Sequence, residues 1–357
     1  MPNPAIARAE AFCAVYNLRL PILLAPMAGA CPASLSIAVA TAGGMGACGG
    51  LLMQPAAIKA WAADVRAVTN GGFQLNLWIP VPPPVRDAAA EAAVRSFLGA
   101  WGPEVVPEAG DAAPPDFDAQ CEAMLEAGPA VISSIFGVYP SKFVEKMKAH
   151  GIRWFATATT VGEAIQAEAA GADAIVAQGM EAGGHRGAFE QSKADTAMIG
   201  LFALVPAIAD AVKIPVIAAG GIADARGVAA GLMLGASAVQ IGTGFLRTPE
   251  AKIAPAWADA LGRTRPEDTL VTRTFSGALG RSIATAYARA STDPDAPKPA
   301  PYPVQRGLTQ AMRDAGTKAN DIDRIQAWGG QSAALASTRP AGDLAVALWD
   351  GARMLLG

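Results

Sequence analysis

Histidine is nearly absent from this chain: two in 357 residues, His150 and His185. A centre built on several imidazoles is thereby excluded, and no HExxH motif or carboxylate cluster offers a metal site instead. Charge is sparse as well. Asp, Glu, Lys and Arg make up 17% of the residues, and the formal net charge is -3 with a pI near 5.5. No basic patch stands out, which argues against nucleic acid as a partner. The four cysteines, Cys13, Cys31, Cys48 and Cys121, show no CxxC spacing and no Cys/His cluster. Neither zinc nor a disulfide framework is indicated, and buried thiols in a reducing cytoplasm are the expectation. Apolar runs are broken by Gly and Pro well short of membrane-spanning length. The N-terminal stretch MPNPAIARAEAFCAVYNLRL lacks the basic start and apolar core of a signal peptide.

What is present is apolar: 52% of the residues are hydrophobic. A chain of this length exceeds what one core usually serves unless the fold is a barrel. Eight short β-rich runs recur: PILLAPMAG (21–29), GMGACGGL (44–51), FQLNLWI (73–79), AVISSIFG (130–137), RWFATAT (153–159), AIVAQG (174–179), PVIAAGG (215–221) and AVQIGTG (238–244). They are continuous rather than alternating, as expected of strands buried on both faces of a parallel sheet. Ala-rich amphipathic segments lie in most of the gaps, several ending in Gly, a usual helix stop. The pattern predicts an α/β protein, a (β/α)8 TIM barrel. An open doubly wound sheet would show GxGxxG after its first strand; here that strand ends in APMAG.

The predicted organisation is a barrel over 15–250, an added helical region over 251–325 that serves as a lid, and a terminal segment over 326–357 that packs back on the barrel. The third strand-to-helix connection, 80–128, is long and Pro-rich.

In such a barrel the active site forms at the carboxyl ends of the strands, with a phosphate site after strands seven and eight. Paired glycines there let backbone N–H groups approach an anion. Gly220, Gly221, Gly242 and Thr243 therefore read as a phosphate cradle, against the alternative of tight turns alone. The first run ends in Ala25-Pro26-Met27, where Met27 would present its backbone N–H and C=O at the barrel mouth or simply fill a gap. Asn76 and Gln178 are amides in apolar runs and need partners, either a ligand or a neighbouring strand. After Gln178 comes EAGGHRG (181–187). Its glycines permit close approach to the main chain, and His185 would overhang whatever they touch. An imidazole there suits proton transfer or hydrogen bonding to an anion, whereas a surface-loop histidine would be inert. Arg186 is free to meet an anion or Glu181. No strand-like run contains a lysine for a Schiff base. A phosphate site with few acid–base groups points to an organic cofactor.

Together these residues resemble the nitronate monooxygenases, formerly called 2-nitropropane dioxygenases, which are FMN-dependent barrels. The resemblance runs in the family's order through APMAG with AGGMG, QLNLW, AQGMEAGGHRG and IPVIAAGGIADARGVAAGLMLGASAVQIGTGFL, then SGALGRSIAT and QAWGGQSAALA. It implies that Ala25, Pro26 and Met27 receive the flavin ring, with the Met27 backbone near N5. It implies that Asn76 and Gln178 bond the ring or ribityl chain and that Thr157 lies nearby, where families of this type often carry a lysine. Gly183 would border the flavin, and Gly220, Gly221, Gly242 and Thr243 would bind its phosphate. His185 would face the substrate, while Gly280-Arg281 and Trp328 to Gln331 would close the pocket. The implied reaction is oxidative denitrification of an alkyl nitronate, or of a nitroalkane, with O2, giving a carbonyl compound and nitrite. Small aliphatic substrates, including propionate 3-nitronate, are implied. The alternatives are an NAD(P)H-dependent enoyl-acyl-carrier-protein reductase on the same fold, and a barrel that binds FMN or phosphate without turnover. A homodimer is left open.

Overall fold

The computed structural model describes residues 3–357. Each apolar run forms a strand: β1 (Ile22–Leu24), β2 (Gly46–Gly49), β3 (Phe73–Trp78), β4 (Val131–Ile135), β5 (Arg153–Ala158), β6 (Ala174–Gln178), then, after the two-residue β7 (Gly184–His185), β8 (Val216–Ala219) and β9 (Ala238–Ile241). All pairs among the eight are parallel, in the order β1-β9-β8-β6-β5-β4-β3-β2. Leu23 bridges Met45, which brings β1 against β2 and closes a (β/α)8 barrel.

The helices follow from the Ala-rich gaps. α1 (Pro4–Tyr16) precedes the barrel, and α2 (Ala33–Ala42) and α3 (Pro55–Arg66) follow the first two strands. The long third connection carries α4 (Ala88–Leu98) and α5 (Phe117–Ala127). α6 (Ser141–Ala149), α7 (Val161–Ala169), α8 (Leu201–Ala211) and α9 (Ala225–Met233) complete the outer ring. Their buried faces form one shell against the strands. α1 begins with proline at its first position behind the Asn3 cap, an arrangement that leaves no N–H wasted. It plugs the floor of the barrel: Phe12 and Tyr16 pack against Phe155, with Tyr16 edge-on at 5.1 Å. The opposite, carboxyl rim stays open for a ligand.

Beyond β9 come α10 (Pro255–Leu261), β10 (Thr269–Thr272), β11 (Gly280–Ile283), α11 (Ala286–Ala290), α12 (Val304–Leu308) and α13 (Gln310–Lys318). This region, expected to be helical, also holds an antiparallel hairpin, β10–β11, to which β7 adds as a third strand. The sequence gives no alternating pattern here because β10 is half-buried and β11 wholly buried. α4 joins this layer rather than the ring: Val94 and Leu98 pack with Phe275, Tyr287, Leu308 and Met312. The last helix, α14 (Ala341–Leu356), buries Leu344, Leu348 and Trp349 against α2 and α9. No helix among the described residues is long and apolar enough to cross a membrane.

Candidate active site

A cavity of about 270 Å³ opens at the carboxyl rim of the barrel. Ala25, Pro26, Met27, Asn76, Thr157, Gln178, Gly183, His185, Gly220, Gly221, Gly242, Thr243 and Trp328 all line it. Arg281 and Gln331 do not. The Arg281 side chain donates to the Met180 carbonyl at 2.9 Å and to Thr269 Oγ1 at 2.9 Å. Gln331 binds through its backbone N–H to Glu181 O, while its neighbours Gly330 and Ser332 line the wall.

The rim after β8 and β9 carries unused donors. The N–H groups of Gly221, Gly242 and Thr243 make no hydrogen bond among the described residues. Gly221 sits at φ +67°, so its main chain turns where an L side chain is strained. Thr243 Oγ1 accepts from Gly330 N at 3.0 Å, which pins the 330 segment beside the cradle. Gly183 is glycine because a Cβ there would lie 2.5 Å from that same nitrogen. Unpaired N–H groups at a strand-end glycine turn and at the start of a helical turn suit an anion such as a phosphate.

The strand-one turn is arranged differently from the sequence expectation. Met27 N–H points at Cys31 Sγ (3.4 Å) and its carbonyl accepts from Ala30 N at 2.9 Å. Both groups thus have contacts within the turn that leads to α2, the N–H a long one to sulfur and the carbonyl one of its two acceptor sites. The strand amides divide their labour. Asn76 donates to Ser133 Oγ on β4 at 3.0 Å and leaves its oxygen unpaired. Gln240, which the sequence reading passed over, accepts from Gln74 at 2.9 Å and leaves its own NH2 to the cavity. Gln178 turns to the histidine loop: its NH2 donates to His185 O at 3.0 Å and its oxygen accepts from Gly187 N at 2.7 Å. Arg186 meets neither an anion nor Glu181. It donates to the carbonyls of Gln178, Thr159 and Ala197, strapping the ends of β5 and β6 together.

His185 is the polar centre. Trp78 and Trp328 pack edge-on against its ring at 4.6 and 4.8 Å. Nε2 lies 2.8 Å from Ser276 Oγ, and Nδ1 has no partner in the chain. Desolvation, with the guanidiniums of Arg306 and Arg313 nearby, pushes its pKa down to about 3. The imidazole is therefore neutral. Arg306, on α12, is the only formally charged side chain in the wall. It is half-buried and makes no hydrogen bond or ion pair among the described residues. The nearest acid, Asp314, is bonded to Gln310 instead. Tyr302 stands beside it, 5.2 Å from the Trp78 ring. An unpaired cation on a largely apolar wall is costly unless a ligand supplies the opposite charge.

Stability should carry the mark of that depressed pKa. Protonating His185 favours the unfolded chain, where the ring has its ordinary value near 6.5. The folded state therefore holds this contribution above pH 6.5 and loses it as pH falls towards 3. Between pH 7 and pH 5 the loss should be on the order of 1–2 kcal/mol. Denaturant titrations of wild type and His185→Gln at both pH values check this; equal pH dependence of the two would contradict it.

A closed (β/α)8 barrel with a histidine and an arginine at a cavity on its carboxyl rim has the architecture of a barrel enzyme with a small-molecule site. Comparison with known proteins gives the family. The family model described as "Nitronate monooxygenase" matches residues 10–351. A nitronate monooxygenase from Paraburkholderia phytofirmans is 38% identical over 338 residues, 92% of this chain and 91% of the relative. Among solved structures, a nitroalkane oxidase from Streptomyces ansochromogenes superposes with a TM-score of 0.86 at 35% identity, covering 96% of this chain and 100% of that one. FabK from Thermotoga maritima gives 0.75 at 26% identity over 97% and 96% of the two chains. The chain belongs to the nitronate monooxygenase family and is an enzyme of that family.

The sequence reading missed Trp78, Ser276, Tyr302 and Arg306. Trp78 ends the QLNLW motif and was open to inspection. Ser276 opens the SGALGRSIAT motif but was not singled out within it, and Tyr302 and Arg306 carry no local signal; the fold of 250–325 brings all three to the rim.

Proposed function

We propose that the rim holds FMN and that the enzyme oxidises alkyl nitronates with O2, giving a carbonyl compound and nitrite. The free N–H groups of Gly221, Gly242 and Thr243 fit a phosphate, and the open polar atoms of Asn76 and Gln240 fit the polar edge of a flavin ring. When bound, the flavin supplies the electron-accepting centre and passes electrons on to O2.

The observation that carries the choice of substrate is the pairing of Arg306 with a neutral His185. A base with a pKa of about 3 is poorly matched to taking an α-proton from a neutral nitroalkane. A nitronate arrives already deprotonated and needs a cation and a hydrogen-bond donor instead. Arg306 supplies the first, and the imidazole the second. Trp78, Trp328 and Tyr302 keep water from the same space and strengthen both interactions.

The test is an absorption spectrum of the purified protein, followed by anaerobic titration with propionate 3-nitronate. Bleaching by the nitronate, and not by NADH or NADPH, is the expected result. Rapid bleaching by a reduced nicotinamide would favour the enoyl reductase, and a stable yellow protein that no substrate reduces would favour a binding barrel. Arg306→Gln should raise KM for the nitronate about tenfold or more, the effect of removing a charged hydrogen-bond partner worth about 1.5–3 kcal/mol. An unchanged KM would remove Arg306 from substrate recognition.

A further inference from the structure

We infer that Gln74 is a positioning residue: from one layer below the cavity it turns the Gln240 amide so that an NH2 group, and not an oxygen, faces the ligand. The purpose of this arrangement rests on the proposed flavin site; the arrangement itself does not.

Gln74 is fully buried and does not line the cavity. It stands two residues before Asn76 on β3, so its side chain enters the barrel one layer deeper. Its nitrogen lies 3.1 Å from the Leu24 carbonyl on β1 and 2.9 Å from the Gln240 side-chain oxygen on β9. A backbone carbonyl only accepts, so the Leu24 contact fixes which end of the Gln74 amide points there. The opposite setting would bring two oxygens within 3.1 Å and bury an unpaired NH2. With the Gln74 nitrogen donating to both neighbours, Gln240 must meet it with oxygen. The Gln240 NH2 is then left over. It has no partner among the described residues and is not sealed from the cavity that Gln240 lines.

The Leu24 carbonyl is open to Gln74 because the seam of the barrel stops short there. Among the described residues, Leu23 and Met45 form the one bridge between β1 and the β2 segment. In a parallel ladder the next rung would run from Ala47 N–H to the Leu24 carbonyl. Ser36 Oγ takes that N–H instead, at 3.1 Å, and donates to the Ala47 carbonyl at 2.7 Å. The freed carbonyl captures one hydrogen of the Gln74 amide, and the other hydrogen reaches Gln240. Gln74 Oε1 stays buried without a partner, so the amide is costly to keep and its worth lies in its two donors. An unheld Gln240 could offer a ligand either end. Held by Gln74, it offers a donor alone. The ligand atom beside it is therefore an acceptor, such as a carbonyl oxygen or imine nitrogen on the pyrimidine edge of a flavin, and a ligand N–H at that point would be repelled.

Two measurements test this. In ligand-free protein labelled with 15N at glutamine, the Gln240 NH2 signal is identified by its loss in Gln240→Met. It should exchange with water and become protected when FMN binds. A signal protected without FMN, or one that bound FMN leaves unaltered, overturns the inference. This measurement needs no change at Gln74, so it holds even where a Gln74 variant does not fold. The second is a double-mutant cycle on FMN affinity, read by titration of the apoprotein. Gln74→Met removes both donors at similar volume. It should weaken FMN binding roughly three- to tenfold, the range of one neutral hydrogen bond. In the Gln240→Met background the same change should alter affinity less than about twofold. A Gln74 that merely props the β1–β2 seam would weaken FMN equally in both backgrounds. That result overturns the inference, as does an affinity unchanged by Gln74→Met. A wild type that takes up no FMN would sink the proposed function instead, and exchange of the ligand-free Gln240 signal would still decide its orientation.

Discussion

His185→Ala is expected to lower turnover of a nitronate by roughly a hundred- to a thousandfold, the cost of losing one preorganised donor at a developing charge. Cofactor content should stay near that of wild type. The proposed cradle at Gly221, Gly242 and Thr243 would use backbone N–H groups of the turns after β8 and β9 and borrow nothing from the imidazole. Loss of the ring opens a gap between Trp78 and Trp328, so part of the defect would come from water entering that space. His185→Asn keeps a donor and should recover part of the rate. Steady-state rates on propionate 3-nitronate and flavin absorbance of each variant decide the matter. Wild-type turnover in the alanine variant would remove His185 from the chemistry.

Gly221→Asp should release the flavin almost entirely. Two effects combine. The residue stands at φ +67°, where any L side chain is strained, and its Cβ would lie 3.2 Å from that of Glu181. The new carboxylate would also face the phosphate. Gly221→Asn separates these causes, since Asn resembles Asp in shape and in tolerance of the left-handed region. The asparagine variant should keep partial yellow colour while the aspartate variant is colourless. Two like charges about 4 Å apart cost about 1 kcal/mol in water and about 4 kcal/mol near a protein surface, so the loss of affinity should exceed tenfold. Equal flavin content in wild type and Gly221→Asp would refute the phosphate assignment.

The architecture was legible because burial on both faces leaves a mark in the sequence. VIAA of β8 and AIVAQ of β6 have almost no polar residue to place, and the helices between them end at glycine or a polar cap. The rim was legible because glycines at strand ends mean close backbone approach. The lid was not. Arg306 reads in sequence as an ordinary exposed charge within VQRGLTQAMRDAG. Its importance lies in having no partner, a property of three dimensions. Ser276 opens the SGALGRSIAT motif, but its contact with the imidazole depends on the fold that brings its loop to His185. Met27 was readable as lying at the barrel mouth, whereas the contact of its N–H with Cys31 four residues on was not. Gln178 was left undecided between ligand and neighbour; it lines the cavity, and its amide bonds His185 on β7 and Gly187 just beyond it.

The pairing of β7 with β11 has a further consequence. Gly184 and His185 are stitched to Arg281 and Gly280, so the imidazole hangs from the lid as much as from the barrel. Any outward swing of that layer must either take the ring along or tear the stitch. Either way, movement of that layer and displacement of the imidazole from the rim are coupled through two backbone pairings.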